Sequence, residues 1–215
     1  MTALLSCPLC AHHEAVFYFQ DKKRPYYHCH LCDLVFVASK HQLSANAEKA
    51  EYDKHENDLV DEGYLKFLSR MYEPIHQKVK ANSLGLDFGC GPAPALANKL
   101  SQLGHDVNVY DIYYAPNNEV LTKQYDFITC TEVIEHLASP TTQFELLIKM
   151  LKPDGILGIM TKLVLNKERF ANWHYKNDPT HISFFSRKTF EYLAKRYELK
   201  LEFIGQDVMI FTKVR

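Results

Sequence analysis

Four cysteines near the N-terminus, two closely spaced glycines behind an apolar run and a set of late histidines are the residues here that could do chemistry. Cys7, Cys10, Cys29 and Cys32 form two C-x2-C knuckles eighteen residues apart. Four thiolates at that spacing suit a tetrahedral zinc site. Two disulfides are the rival arrangement, which a cytosolic protein rarely keeps. His12, His13, His28 and His30 crowd the knuckles and are expected as surface or supporting imidazoles. The second group begins at Asp87, two residues before Gly89. Gly89 and Gly91 let the backbone pass against a ligand where a side chain would collide. Asp111 follows Gly91 by twenty residues, at the tip of a second apolar run from Val107 to Tyr110. An acid there holds a ribose diol in doubly wound folds, so the expected ligand is a nucleoside.

These groups need a scaffold, and 215 residues allow one ordinary domain plus a small appendage. A net charge of −1 gives no general basic field to recruit nucleic acid. The longest apolar runs are far too short to cross a bilayer, so no membrane is expected. The opening Met-Thr-Ala-Leu-Leu-Ser has no basic stretch and no long apolar core. The expected location is the cytoplasm.

Three segments are expected. Residues 1–40 form a small zinc ribbon with strands near 15–19, 25–27 and 34–37, too small to fold without a metal. Its basic turn, Lys22, Lys23 and Arg24, is either a phosphate-contacting loop or a solvated one. Residues 41–82 form a helical connector or cap, with Leu65, Leu68, Met71, Ile75 and Val79 on one apolar face. Pro74 should kink that helix or start a second one. The polar-aromatic cluster from Tyr52 to Asn57 is a solvated helix end or a cap over the nucleotide cleft.

From residue 83 to 215 strands and helices alternate, which implies an α/β fold with a mainly parallel sheet. Strands are expected at 84–88, 106–110, 125–130, 156–162, 199–204 and 207–213. Helices are expected near 93–103, 140–151, 166–175 and 186–197. Only Gly205 and Gln206 separate the last two strands, so they must pair as an antiparallel hairpin.

Together these features resemble class I S-adenosylmethionine-dependent methyltransferases. The carriers are the glycine motif from Leu86 to Gly91, Asp111, the Tyr125–Leu137 run, the Leu151–Leu157 turn and the terminal hairpin. The segment from Asp178 to Phe185 is similar to the ubiquinone-biosynthesis-like branch, where a histidine lies near the acceptor. With the ribbon included, the chain looks like a group of bacterial methyltransferases. The resemblance implies a Rossmann-like sheet, S-adenosylmethionine as methyl donor and a small-molecule acceptor. It implies that Asp87 orders the turn or accepts from the cofactor's amino group, and that Asp111 holds the ribose. Gly89, Cys90, Gly91 and Ile112 should border the cofactor, and Cys130 and Thr131 should face it from the fourth strand's tip. Cys90 and Cys130 are expected as small wall residues rather than nucleophiles. Candidate bases are His181, His136, His174 and His55, led by His181. It lies after the fifth strand among Phe170, Trp173, Tyr175, Phe184 and Phe185, which could wall an acceptor pocket.

The resemblance has a gap. Thirteen residues between Asp111 and Tyr125 are too few for the usual helix, third strand and second helix, leaving Asn117, Asn118 or Glu119 either to meet the adenine or to serve ordinary turn chemistry. A nicotinamide dehydrogenase is the rival enzyme, disfavoured by Pro94, Asp87 and the hairpin. An RNA methyltransferase that uses the ribbon for substrate, or a non-catalytic cofactor-binding module, are the remaining alternatives.

Overall fold

The computed structural model describes residues 5–54 and 62–214, so the part of the Tyr52 cluster from His55 to Asn57 lies outside the described residues. The ribbon supplies β1 (Val16–Gln20), β2 (Pro25–His28) and β3 (Val35–Phe36). Ser44 opens α1 (Ala45–Tyr52) by accepting from the Ala47 N–H, and α2 (Glu62–Lys78) follows. The alternating region runs through β4 (Leu84–Phe88), α3 (Ala95–Gln102), β5 (Asp106–Tyr110), β6 (Tyr125–Thr131), α4 (Pro140–Lys149) and β7 (Leu151–Met160). It closes with α5 (Lys167–Ala171), β8 (Ser183–Phe184), α6 (Arg187–Arg196), β9 (Leu199–Ile204) and β10 (Val208–Lys213).

The main sheet has the order β5-β4-β6-β7-β10-β9. Its first four strands are parallel, and β10 runs antiparallel between β7 and β9. This is the Rossmann-like methyltransferase sheet with its antiparallel C-terminal hairpin. The short Asp111–Tyr125 connection leaves β5 at the sheet edge, where those folds carry a further strand. Residues 118–122 form a 3-10 turn instead, opened by the Asn117 side chain accepting from the Glu119 N–H. That is the ordinary turn chemistry of an Asn side chain.

Two helical layers bury the sheet. Leu68, Met71 and Ile75 of α2 pack with Leu96 and Leu100 of α3 on Phe127, Ile156 and Ile210. Gly158 permits this approach, since a Cβ there would lie 2.7 Å from the Met71 sulfur. The opposite face is covered by Phe144 and Leu147 of α4, Phe190 and Leu193 of α6, and also by Leu9 and Leu34 of the ribbon. The ribbon therefore shares the main core.

Several local expectations change. Pro74 sits inside an unbroken α2, held on either side by Met71 and Ile75, both fully buried. Strand β7 begins at Leu151, five residues before the expected start, through a turn with Asp154 at φ 62°. The helix expected at 166–175 is only α5, followed by a 3-10 turn from His174 to Asn177. Tyr175 of the aromatic segment that follows β7 lies against His181, but Phe170 and Phe184 pack on the ribbon. Phe170 stands edge-on to Tyr26 and Phe184 at 5.1 and 5.3 Å, and β8 pairs antiparallel with β3. Each such ring pair contributes about 0.5–1.5 kcal/mol beyond burial. These aromatics fasten the ribbon to the rest of the chain.

Candidate functional site

The backbone turn after β4 is set by two positive-φ glycines, Gly89 at 78° and Gly91 at 64°. The N–H groups of Gly89 and Cys90 donate to the Tyr110 carbonyl at 2.7 and 3.2 Å, tying the turn to the tip of β5. A Cβ on Gly89 would strike Val133 at 2.3 Å, whereas a Cβ on Gly91 would meet nothing within 4 Å. Gly91 therefore leaves open backbone where a ligand can lie.

Asp111 stands beside this turn and is a loop organiser. Its Oδ2 accepts from the Gly91 N–H at 3.0 Å, and its Oδ1 from Tyr113 and Tyr114 N–H at 2.8 and 3.1 Å. A carboxylate has about four acceptor positions. One is left, on Oδ2, for a ribose hydroxyl.

Asp87 lies deeper, 3% exposed, and accepts from the Thr129 hydroxyl at 2.8 Å. Burial pushes its carboxyl up to about 6 from 3.8, against the opposing hydrogen bonds of Thr129 and the Ala97 N–H. This arrangement ties β4 to β6 and to α3, and Asp87 is not among the residues that border the cleft. A pKa raised on folding contributes stability that is present below about pH 4 and lost as pH rises through 6. At about 1.4 kcal/mol per unit the loss is about 3 kcal/mol. Asp87→Asn should therefore lose less stability than the parent between about pH 4 and 7 in urea titrations. Identical pH slopes would contradict this placement of the charge.

A cleft of about 710 Å³ opens beside the glycine turn, within the range that holds small ligands. Gly89, Cys90, Gly91, Asp111, Ile112 and Thr131 border it. Cys130 does not. It is fully buried on the other face, against Leu9, Ile134, Phe144 and Phe185. Successive strand residues point to opposite faces, so Cys130 and Thr131 cannot share the cleft.

The far end is built where β6 turns out of the sheet. Glu132 adopts a left-handed φ of 51°, a conformation that costs about 1–2 kcal/mol in a non-glycine residue. The short turn from Ile134 to His136 follows. His136 Nδ1 donates to the Thr180 carbonyl at 3.3 Å, and His181 Nδ1 to the Tyr175 carbonyl at 2.7 Å. A carbonyl only accepts, so each ring carries its proton on Nδ1, and the His181 Nε2 lies 3.8 Å from Asp178 Oδ2. The two rings lie 4.6 Å apart. Burial and the neighbouring His136 hold His181 down to about 4, against the pull of Asp178. It stays neutral at ordinary pH.

Beneath them, Tyr175 donates its hydroxyl to Glu135 and lies 3.3 Å from Glu132 Oε2. One phenol proton cannot serve two carboxylates. Burial raises the pKa of both glutamates, and the Glu135 charge raises that of Glu132 further. Glu132 Oε1, Glu135 Oε2, Thr131 Oγ1 and Gln143 Oε1 are enclosed without a hydrogen-bond partner. Glu135, His136 and His181 offer ligand atoms within 4.8 Å of one another. One carboxylate with two imidazoles, each oriented by a backbone carbonyl, is a donor set that could hold a divalent cation.

The roof comes from α1. Tyr52 lies edge-on to His136 at 5.2 Å, Tyr113 donates to Glu48 at 2.9 Å and Tyr114 to Asp53 at 2.7 Å. Of the two readings of the Tyr52 cluster, the cap describes the placement of Tyr52 itself. His174 is exposed and does not border the cleft, and His55 is outside the described residues. Sequence reasoning missed Glu132, Gln143, Tyr113 and Tyr114. The Tyr-Tyr pair two residues after Asp111 was the available signal.

At the ribbon, Cys7 and Cys32 sulfurs are 3.5 Å apart, as are those of Cys10 and Cys29, and all four lie within 4.8 Å. No disulfide joins any of the four in this structure. A tetrahedral zinc with bonds of about 2.3 Å sets sulfurs about 3.8 Å apart, so the four thiols fit one zinc. His28 is occupied by Asp33 at 2.9 Å. Arg24 of the basic turn is buried, which removes it from any phosphate contact.

Residues 52–202 match the family model described as a methyltransferase domain. A ubiquinone biosynthesis O-methyltransferase of Shewanella pealeana is 27% identical over 84 residues, which is 39% of this chain and 36% of that protein. One from Pseudomonas entomophila is 34% identical over 77 residues, 35% and 32% of the two chains. The chain thus spans about a third of the length of the curated relatives it matches. Among solved structures, a Burkholderia thailandensis 1,6-didemethyltoxoflavin-N1-methyltransferase with bound 1,6-didemethyltoxoflavin and S-adenosylhomocysteine aligns at TM-score 0.56 and 15% identity, over 94% of this chain and all of that one. A SAM-dependent methyltransferase from Archaeoglobus fulgidus aligns at TM-score 0.55 and 18% identity, over 77% of this chain and 99% of that one.

Proposed function

The chain belongs to the methyltransferase-domain family, and from that premise we propose that it transfers the methyl group of S-adenosylmethionine to a hydroxyl of a small molecule. The observation that carries this reading is the single cleft joining the glycine turn and Asp111 to His136 and His181. At the first end, the open backbone at Gly91 fits the methionine and ribose portions, and the free Oδ2 position of Asp111 takes one ribose hydroxyl. S-adenosylmethionine supplies a methyl already activated by its sulfonium, so the protein's task is position and a dry path.

The other end favours a hydroxyl. Its groups are the His181 imidazole, whose proton is held on Nδ1, and the enclosed oxygens of Glu132 and Gln143, which accept hydrogen bonds. A hydroxyl donor would satisfy them, and its oxygen would face the methyl. A phosphate-rich acceptor would meet Glu132 and Asp178, and no lysine or arginine is among the described residues that line the cleft, so the RNA alternative is disfavoured. A divalent cation at Glu135, His136 and His181 would polarise the acceptor oxygen.

Asp111→Ala is expected to weaken S-adenosylhomocysteine binding by about ten- to a hundredfold, since it removes a charge-assisted contact and loosens the loop. Isothermal calorimetry on the folded variant measures this. Thermal-shift assays with S-adenosylmethionine, S-adenosylhomocysteine and NAD test the cofactor directly, and labelled-methyl transfer into cell-extract metabolites tests the acceptor. Stabilisation by NAD alone would return the dehydrogenase reading.

A further inference from the structure

The basic tip of the ribbon is turned inward onto the loop that carries His181. Arg24 is 6% exposed. Its guanidinium donates to four backbone carbonyls of that loop: Pro179 at 2.9 Å, Lys176 at 3.1 Å, Asp178 at 2.8 Å and His181 at 2.7 Å. Its Nε donates to the Tyr26 hydroxyl at 3.2 Å, and that hydroxyl is held by Asp21 at 2.7 Å. Asp21 in turn caps the hairpin by accepting from the Lys23 and Arg24 N–H groups at 2.7 and 2.8 Å.

We propose that Arg24 is a positioning residue for the acceptor end of the cleft, and that the cysteine ribbon serves as the clamp that sets His181. Three of the four carbonyls share the two N–H groups of Nη2 and the fourth takes Nη1, an arrangement that a planar fork can serve and a lysine cannot. The loop has no regular structure between the 3-10 turn and β8, so its backbone carbonyls must find partners elsewhere. The ribbon supplies them. Because the Tyr175 carbonyl that orients the His181 ring opens the same loop, slack at Arg24 reaches the imidazole directly. Ribbon strand β3 pairs with β8 just beyond His181, which holds the loop's other end. The cofactor end shares none of these contacts.

This inference rests on reading His181 as part of the acceptor end, but its test does not. Histidine side chains labelled with ¹⁵N report tautomer and hydrogen bonding, and the His181 signals are assigned from the His181→Gln spectrum. In the parent protein His181 should show the Nδ1–H form. Arg24→Gln should shift its signals toward exchange between tautomers, while S-adenosylhomocysteine affinity stays within about threefold, as expected for sites without shared partners. Arg24→Lys should give an intermediate spectrum. Unchanged His181 signals in folded Arg24→Gln would overturn the proposal. So would an equal loss of cofactor affinity, which would mark Arg24 as merely structural. If Arg24→Gln does not fold, Tyr26→Phe, which removes one partner of the same network, is judged on the same two readouts. Shifted signals with undiminished methyl transfer would support the clamp and refute the acceptor-end reading of His181.

Discussion

Protein purified without oxygen should carry about one zinc per chain, and Cys29→Ser should lose it together with much of the chain's stability. Cys29 is fully buried, and its backbone bonds Leu34 and Asp33 at 2.9 and 2.8 Å. The expected loss is large because the ribbon is not an appendage. Leu9 and Leu34 belong to the main core, and the Thr141 hydroxyl donates to the Leu9 and Pro8 carbonyls. Structural zinc in small peptides contributes more than about 10 kcal/mol. Even about 4 kcal/mol of it would lower Tm by on the order of 10 °C for a chain of this length. Metal analysis and thermal melts of parent and variant measure both quantities. Zinc-free parent protein, or a variant with the parent's Tm, would end the claim.

His181→Gln should cut turnover by about 10²-fold while leaving S-adenosylmethionine affinity nearly unchanged. The structure alters the reason. An imidazole held near 4 is a feeble base for a hydroxyl, yet its Nε2 lone pair is available at every working pH. That suits orientation of the acceptor hydroxyl, or ligation of a cation with Glu135 and His136, better than unaided proton abstraction. Single-turnover rates over a pH series separate these roles. A base role predicts that the variant's deficit shrinks at high pH. A ligand role predicts that the parent's rate depends on added Mg²⁺ or Mn²⁺ and that the variant's dependence is weakened. Parent-like turnover and KM in the folded variant would make His181 structural.

How far the sequence carried can be seen at particular residues. The glycine turn, the acid at Asp111, the cysteine knuckles and the terminal hairpin were legible because each is fixed by local chemistry. Positive φ asks for glycine, paired thiols ask for metal, and a two-residue connection permits only an antiparallel partner. The α/β alternation was legible for the same reason, since strand and helix periods differ within a few residues.

Only the tertiary structure decided what each side chain faces. Cys130 and Thr131 are neighbours in sequence, but the pleat sends one into the core and the other to the cleft. Phe170 and Phe184 have the composition of a pocket wall, yet they pack on Tyr26 because β8 joins the ribbon's sheet. Arg24 sits in a turn that reads as solvated, and its burial depends on carbonyls more than 150 positions away. The pairing of His136 with His181 spans two loops whose approach is set by the Thr180 and Tyr175 carbonyls. Periodicity and spacing act over a turn or two of chain. Burial and convergence are properties of segments brought together by the whole fold, and no local pattern encodes them.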